Sequence, residues 1–479
     1  MNGYTVTTAI PYVNAAPHLG HALELVQADV LARHRRQRGQ PVRFQTGTDD
    51  NAAKNVTAAR AAGVDVAAFV AAGADRFTAL RGPLSLSFDD FVRTGSDPRH
   101  RAGVARLWHR CAADLYRRGY RGLYCAGCEA FTTPDELVDG RCAEHGTEPE
   151  VVTEENWFFR LDRYAGVVED LIASGRVRIE PVSRRNEVLA FVRSGLADIS
   201  VSRPAARTGG WGIPVPDDPD QVVYVWWDAL ANYVTTLQEG PDLDAWWHGA
   251  AERVHVIGKG IVRFHAVHWL ALLAAAGLPF PTAILVHEYL SVDGAKISKS
   301  AGNGVDPVDL VGRFGVDALR WWFLREVARG ADTDFRVERL VALADRELAG
   351  GLGNLVQRTA ALAHSSLPPP AVDLAPGLTA RIDAALHRFD LRGATDALVE
   401  AVDAGNRYVE EQRPWTLPTG PARDAVLGDL AGLCRALAAE LAPFLPDGAA
   451  RLSARFDGTS TEPAFPRIDG SGAPAILRR

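Results

Sequence analysis

The stretch Thr7-Thr8-Ala9-Ile10-Pro11-Tyr12-Val13-Asn14-Ala15-Ala16-Pro17-His18-Leu19-Gly20-His21 decides the fold. A short β-branched run halts at a proline. A small-residue turn then delivers two histidines, three apart, to the start of a helical pattern over 22–38. Strand, tight turn and long helix in that order open a parallel α/β domain. Residues three apart share a helix face, so His18 and His21 can address one polyanionic ligand, and Gly20 lets that ligand approach the backbone. Many surface turns carry two histidines by chance, so the pair gains meaning only with a second motif. Asp293-Gly294-Ala295-Lys296-Ile297-Ser298-Lys299-Ser300-Ala301-Gly302-Asn303 supplies it, with two lysines and two serines in a glycine-flanked loop.

Outward from the first motif, short apolar runs alternate with amphipathic stretches from Tyr4 to about Gly122. Val42 to Asp50 reads as a second strand entering an acidic loop, where parallel sheets bind ligands. Either Asp49 or Asp50 serves equally as a cap on the next helix. Cys125-Ala-Gly-Cys128 is followed, after thirteen residues, by Cys142-Ala-Glu-His145. Three thiolates and one imidazole suffice for a closed tetrahedral zinc site. A lone Cys-x-x-Cys would also suit a redox pair, but two knuckles at this separation favour structural zinc. The insert is small and polar, so metal binding would supply much of its folding free energy. Cys111 is left over as a buried apolar residue. Val222 to Leu230 crosses from strand to helix and leads on to Asn232 and Tyr233. Val254 to Ile261 is another strand, ending in a turn at Gly258. From Val337 to Glu440 the pattern is helical, with a break at Pro368-Pro369-Pro370, as in a bundle.

The chain has 479 residues, enough for two to four domains, with 47% hydrophobic and 23% charged residues, as in soluble globular proteins. The first residues lack the basic flank and long apolar run of a secretory signal. The apolar run 269–285 is interrupted by Gly277, Pro279 and Pro281, which predicts buried helix and strand and no membrane span. Of the five cysteines, three join the metal set, which points to a reducing, cytoplasmic setting. A formal charge of −7 opposes indiscriminate binding of DNA or other nucleic acid but permits a local basic face for a specific one.

The two motifs together resemble the nucleotide-binding signatures of class I aminoacyl-tRNA synthetases, and the wording around them resembles the methionyl-tRNA synthetase family from Tyr4 to roughly Leu417. The resemblance implies an α/β Rossmann-like parallel-sheet catalytic domain with a zinc-knuckle insertion, followed by an α-helical bundle that binds the anticodon. The corresponding divisions are 1–122 and 211–300 for the catalytic halves, 123–210 for the connective insertion with its knuckle at 123–156, 301–336 for the lysine-loop continuation, and 337–479 for the anticodon domain. It also implies ATP-dependent joining of methionine to tRNA(Met), with Mg²⁺ carried on the nucleotide and one structural Zn²⁺.

In that reading His18, His21, Lys296 and Lys299 are catalytic, while Gly20, Ser298, Ser300 and Gly258 hold the nucleotide. Asp49 takes the substrate's α-ammonium. Ala9, Ile10, Tyr12, Trp226, Ala229, Tyr233 and His287 line its side-chain pocket. Trp226 and Tyr233 serve equally as core filling by residue type alone. Asn354 and Arg358 would donate to anticodon bases and Trp415 would stack on one, although each singly suits a packing or surface role. Cys125, Cys128, Cys142 and His145 are the implied metal set, in a one-zinc form. The short tail past Pro446 leads to the expectation of a monomer with no further tRNA-binding module. The chain departs from the family's usual wording at Asp50-Asn51-Ala52, normally Glu-His-Gly, and at Gly260 and Ile297. Those departures leave open a repurposed paralogue that aminoacylates a small hydroxyl acceptor, or a non-catalytic tRNA-binding protein.

Overall fold

Tyr4 and Val6 are buried along with Thr5, Thr7 and Thr8, so the first strand has no solvent face and shows none of the alternation of a half-exposed strand. Its threonines satisfy themselves inside the sheet. Thr5 Oγ1 donates to the Trp246 carbonyl at 2.7 Å, and the Thr8 and Thr46 hydroxyls meet at 2.6 Å. The computed structural model describes residues 3–143, 146–237, 239–292, 294–296, 305–364, 367–456 and 459–468. The chain gathers into two units, one of Met1–Pro17, Arg38–Leu80 and Phe88–Glu288, the other of His18–Gln37, Arg81–Ser87 and Tyr289–Arg479.

The first unit carries strands β1 (Gly3–Thr8), β2 (Val42–Thr48), β3 (Asp90–Arg93), β4 (Leu115–Cys125), β5 (Ala130–Thr132), β6 (Glu150–Phe159), β7 (Arg178–Glu180), β8 (Ile199–Ser200), β9 (Ala250–Gly258) and β10 (Ala283–His287). Six of them form a parallel sheet in the order β3-β2-β1-β9-β10-β7. The chain winds outward from β1 to β3, then resumes on the other side of β1 at β9. That reversal creates a crevice at the carboxyl ends of β1 and β9, where doubly wound sheets bind ligands. β3 lies tight against β2, because a Cβ on Gly47 would fall 2.2 Å from the Val92 carbonyl oxygen. Trp108, Phe159, Trp227, Trp247 and Trp269 anchor the buried core of this unit.

A second sheet, β8-β6-β4-β5, is antiparallel, and its long β4–β6 ladder carries the cysteine-bearing turn at its tip. The stretch 269–285 is buried helix (Trp269–Ala276) and strand β10, as its glycine and prolines predict. Among the described residues no single helix is long and apolar enough to cross a membrane.

Among the described residues the second unit is helical apart from a three-stranded sheet of Leu290–Val292, Ala295–Lys296 and Thr333–Phe335. Its long helices, Leu391–Gln412 and Pro421–Leu441, bury Leu398, Leu427, Leu430 and Leu437. At its centre Arg320, wholly buried, donates to the carbonyls of Leu84, Pro443 and Phe444 and, at 2.8 Å, to the buried carboxylate of Asp29.

Candidate active site

The carboxyl edge of the parallel sheet brings distant residues together in the first unit. Ala9 and Ile10 leave β1, and Tyr12 forms a parallel bridge with Asp49 at the end of β2. Gly258 closes β9 in register with His287 at the end of β10, and a Cβ on Gly258 would stand 3.4 Å from the His287 ring. The helix Val225–Thr235 adds Trp226, Ala229 and Tyr233. Ile10 and Ala229 pack with Val92. The Tyr12 and Trp226 rings meet edge-on at 6.5 Å, and Trp226 stacks on Phe264 at 3.8 Å.

The Tyr233 side chain is fixed by tautomer logic. His265 Nδ1 faces the Ile261 carbonyl at 3.0 Å and must donate, so its Nε2 accepts from the Tyr233 hydroxyl at 2.8 Å. Burial holds the His265 pKa down at about 4, which keeps the ring neutral and that assignment intact.

The electrostatics of this region are set by carboxylates. Asp49, Asp50, Asp228 and Glu129 are each no more than 3% exposed. Burial first, then the charges of Asp228, Glu129 and Asp50, push the Asp49 pKa well above the usual carboxylate range. Burial likewise raises the Tyr12 pKa, helped by Glu129 and Asp49. The Tyr12 hydroxyl is enclosed with no hydrogen-bond partner among the described residues. Crowded buried carboxylates, aromatic rings and an unpartnered hydroxyl thus lie together at this edge of the sheet.

Asp50 serves differently. Its carboxylate accepts from Gly95 N–H at 3.2 Å, and burial lifts its pKa from 3.8 to about 6. A carboxyl with a raised folded pKa binds its proton more tightly in the folded state. Its contribution to stability therefore falls as pH rises from about 4 to about 6 and stays unfavourable above. Asp50→Asn is expected to stabilise the protein by about 2–3 kcal/mol at neutral pH, with the gain gone near pH 4. Urea unfolding of both proteins across that range checks it, and a gain independent of pH contradicts it.

Residue reading alone missed the partners that hold this acidic loop. Asn51 bonds Asp228, and Glu129, the residue after Cys128, accepts from Lys54 N–H at 2.8 Å at the start of the helix Ala53–Ala62. The bond between the Trp226 indole and the Cys128 carbonyl is long, at 3.5 Å, and again joins the cysteine turn to the pocket.

Cys125, Cys128 and Cys142 place their sulfurs within 4.8 Å of one another. Zn–S bonds of about 2.3 Å in a tetrahedron require sulfur separations of about 3.8 Å, so three thiolates with this spacing fit the ion. His145 lies outside the described residues.

The remaining predicted residues belong to the second unit. The helix Leu19–Gln37 opens with the His18 and His21 rings stacked at 3.8 Å. His21 Nδ1 accepts the His18 N–H and His18 Nδ1 accepts the Gly20 N–H, at 3.2 and 3.1 Å. Both rings thereby keep their protons on Nε2, giving two parallel donors suited to phosphate oxygens. A Cβ on Gly20 would stand 3.0 Å from the His18 ring. Lys296 lies on a strand paired with Ser291, while Ser298, Lys299 and Ser300 lie outside the described residues. Asn354 and Arg358, one turn apart on the helix Asn354–Leu362, share a face. The Arg358 guanidinium sits 4.8 Å above the ring of Trp415, which is 47% exposed.

Comparison with known proteins identifies the family. The model of the family tRNA synthetases class I (M) matches residues 4–146 and 121–360. The methionine–tRNA ligase of Brucella suis is 39% identical, covering 94% of this chain and 90% of its own. That of Streptomyces coelicolor is also 39% identical, covering 96% and 90%. The crystal structure of Mycobacterium tuberculosis methionyl-tRNA synthetase bound by methionyl-adenylate superposes with a TM-score of 0.88 at 35% identity, covering 97% of this chain and all of the other. On sequence and fold alike, the chain belongs to the class I tRNA synthetases, in the methionine–tRNA ligase family.

Proposed function

We propose that this chain joins methionine to tRNA(Met) in two steps. The methionine carboxylate attacks the α-phosphorus of ATP, the bond to pyrophosphate breaks, and methionyl-adenylate forms. A ribose hydroxyl at the tRNA 3′ end then attacks the activated carbonyl and AMP leaves. No protein nucleophile is required, since the substrate supplies its own, so catalysis rests on positioning and on neutralising phosphate charge. The observation that carries the reading is the cluster of buried carboxylates beside the Tyr12 and Trp226 rings at the sheet's carboxyl edge. Asp49 would pair with the α-ammonium, and Ala9, Ile10, Tyr12, Trp226, Ala229, Tyr233 and His287 would enclose the thioether, which packs well on aromatic rings. The Nε2 donors of His18 and His21 would bind phosphate oxygens beside Gly20. Lys296 and Lys299 would bring positive charge to the β- and γ-phosphates with Ser298 and Ser300, and Gly258 would leave room for the nucleotide. Mg²⁺ would ride on ATP and takes no protein ligand here. Methionine-dependent exchange of pyrophosphate into ATP tests the first step, and its absence contradicts it.

Cys125, Cys128, Cys142 and His145 would hold a structural zinc that orders the tip of the β4–β6 ladder. About one equivalent of zinc is expected in metal analysis of pure protein, and Cys142→Ser or chelation should loosen the insert to limited proteolysis. Metal-free protein with an intact insert contradicts that role. Asn354, Arg358 and Trp415 would read the anticodon. Trp415→Ala is expected to slow tRNA charging by about tenfold or more while leaving pyrophosphate exchange within about twofold, as loss of one stacked base predicts. Equal effects on both reactions would make Trp415 structural. A cytoplasmic monomer divided at residues 122, 210, 300 and 336 completes the reading.

A further inference from the structure

Asn51 stands where the family's usual wording has histidine. Its amide Nδ2 donates to Asp228 Oδ2 at 2.6 Å, and its backbone N–H donates to Asp49 Oδ1 at 3.2 Å. The second oxygen of Asp228 accepts from His100 Nε2, and His100 Nδ1 meets the Thr235 hydroxyl at 2.6 Å. Asp228, His100 and Thr235 are almost wholly buried. This chain of bonds ties the loop after β2 to two helices, Pro98–Arg110 and Val225–Thr235. The helices are in close contact, since a Cβ on Gly103 would fall 2.4 Å from that of Thr235. The second helix also carries Trp226, Ala229 and Tyr233. The loop that presents Asp49 is thus bonded to the helix that lines the side-chain pocket.

We propose that Asn51, Asp228 and His100 act as positioning residues that set how selectively the pocket holds the α-ammonium of its amino acid. The inference rests on the reading of the pocket given above. Both oxygens of Asp228 have donors, so the carboxylate is held in one orientation inside the protein. Asp49 and Asp228 are joined through Asn51, so an ammonium arriving at Asp49 meets a carboxylate on a loop that Asp228 holds in place. An amide at position 51 gives its donor at every pH, since it has no proton to titrate. The role is therefore specific to the charged end of the ligand. A group that only held the fold together would affect every ligand of the pocket alike.

The test compares equilibrium binding of methionine with that of the analogue in which hydrogen replaces the ammonium group. The proteins are the unaltered chain, Asn51→Ala, Asn51→Leu of similar size, and Asn51→His, which returns a side-chain donor. Asn51→Ala and Asn51→Leu are expected to weaken methionine by about tenfold or more while changing the analogue by less than about threefold. Asn51→His should recover most of the loss. Equal weakening of both ligands, or none, overturns the proposal. Thermal melts identify a variant that fails to fold, and the leucine variant then carries the test. If the unaltered protein binds no methionine, the pocket reading falls and this inference falls with it, a result distinct from an Asn51 variant that binds normally.

Discussion

Asp49→Asn is expected to raise the KM for methionine by about a hundredfold or more in pyrophosphate exchange, with the KM for ATP changed by less than about threefold. The size follows from the surroundings. Asp49 is 2% exposed, so an ammonium that reaches it has little water to fall back on. The pair it would form is buried and charge-assisted, and removing one partner of such a pair costs several kcal/mol because the other is left uncompensated. Asparagine has the same shape, so the loop, the Asn51 N–H contact and the bridge to Tyr12 should survive. The raised pKa adds a second signature. Burial and the neighbouring carboxylates favour a protonated Asp49 in the empty pocket, so ammonium binding should release a proton. That release should vanish in the asparagine variant. An unchanged KM for methionine would remove Asp49 from the site.

The second large effect concerns the helical unit. Arg320→Met is expected to destabilise the protein by about 3–5 kcal/mol in urea unfolding. Methionine fills much of the same volume but supplies none of the guanidinium's donors. The carbonyls of Leu84, Pro443 and Phe444 would lose their partner, and Asp29 would lose its buried counter-charge. Asp29 would keep Ser87 N–H and Oγ, both at 2.7 Å, and Arg33 at 2.8 Å, which places the loss below that of an isolated buried charge. A loss below about 1 kcal/mol would show that the cluster does not hold the unit together.

The parts of this molecule legible in the sequence are those in which local chemistry and global structure coincide. Thr7 to His21 announces strand, turn and helix because a β-branched run gives way to prolines and small residues before the helix Leu19–Gln37. The cysteine spacing announces its cluster because a tetrahedral ion dictates which residue types must meet. The helical unit shows its period over long runs. Other features are hidden because they depend on contacts far apart in the chain. Asn51 and Asp228 are separated by 177 positions and His100 and Asp228 by 128, and nothing near any of the three residues signals the other two. Glu129 reads as an ordinary charged residue after a cysteine, yet it is buried as a helix cap. The strand that ends at Cys125 begins at Leu115, in a stretch whose Arg117, Arg118 and Arg121 disguise its pairing with β6. Asp29 shows only as one polar position on a helical pattern, and its burial depends on Arg320, far along the chain.

The most direct test of the central claim is charging of total tRNA with each of the twenty amino acids in turn, using protein shown to exchange pyrophosphate. Methionine alone esterified to the 3′ end of tRNA(Met) is the predicted result. Methionine-dependent exchange with no charged tRNA would contradict it and point instead to a small hydroxyl-bearing acceptor.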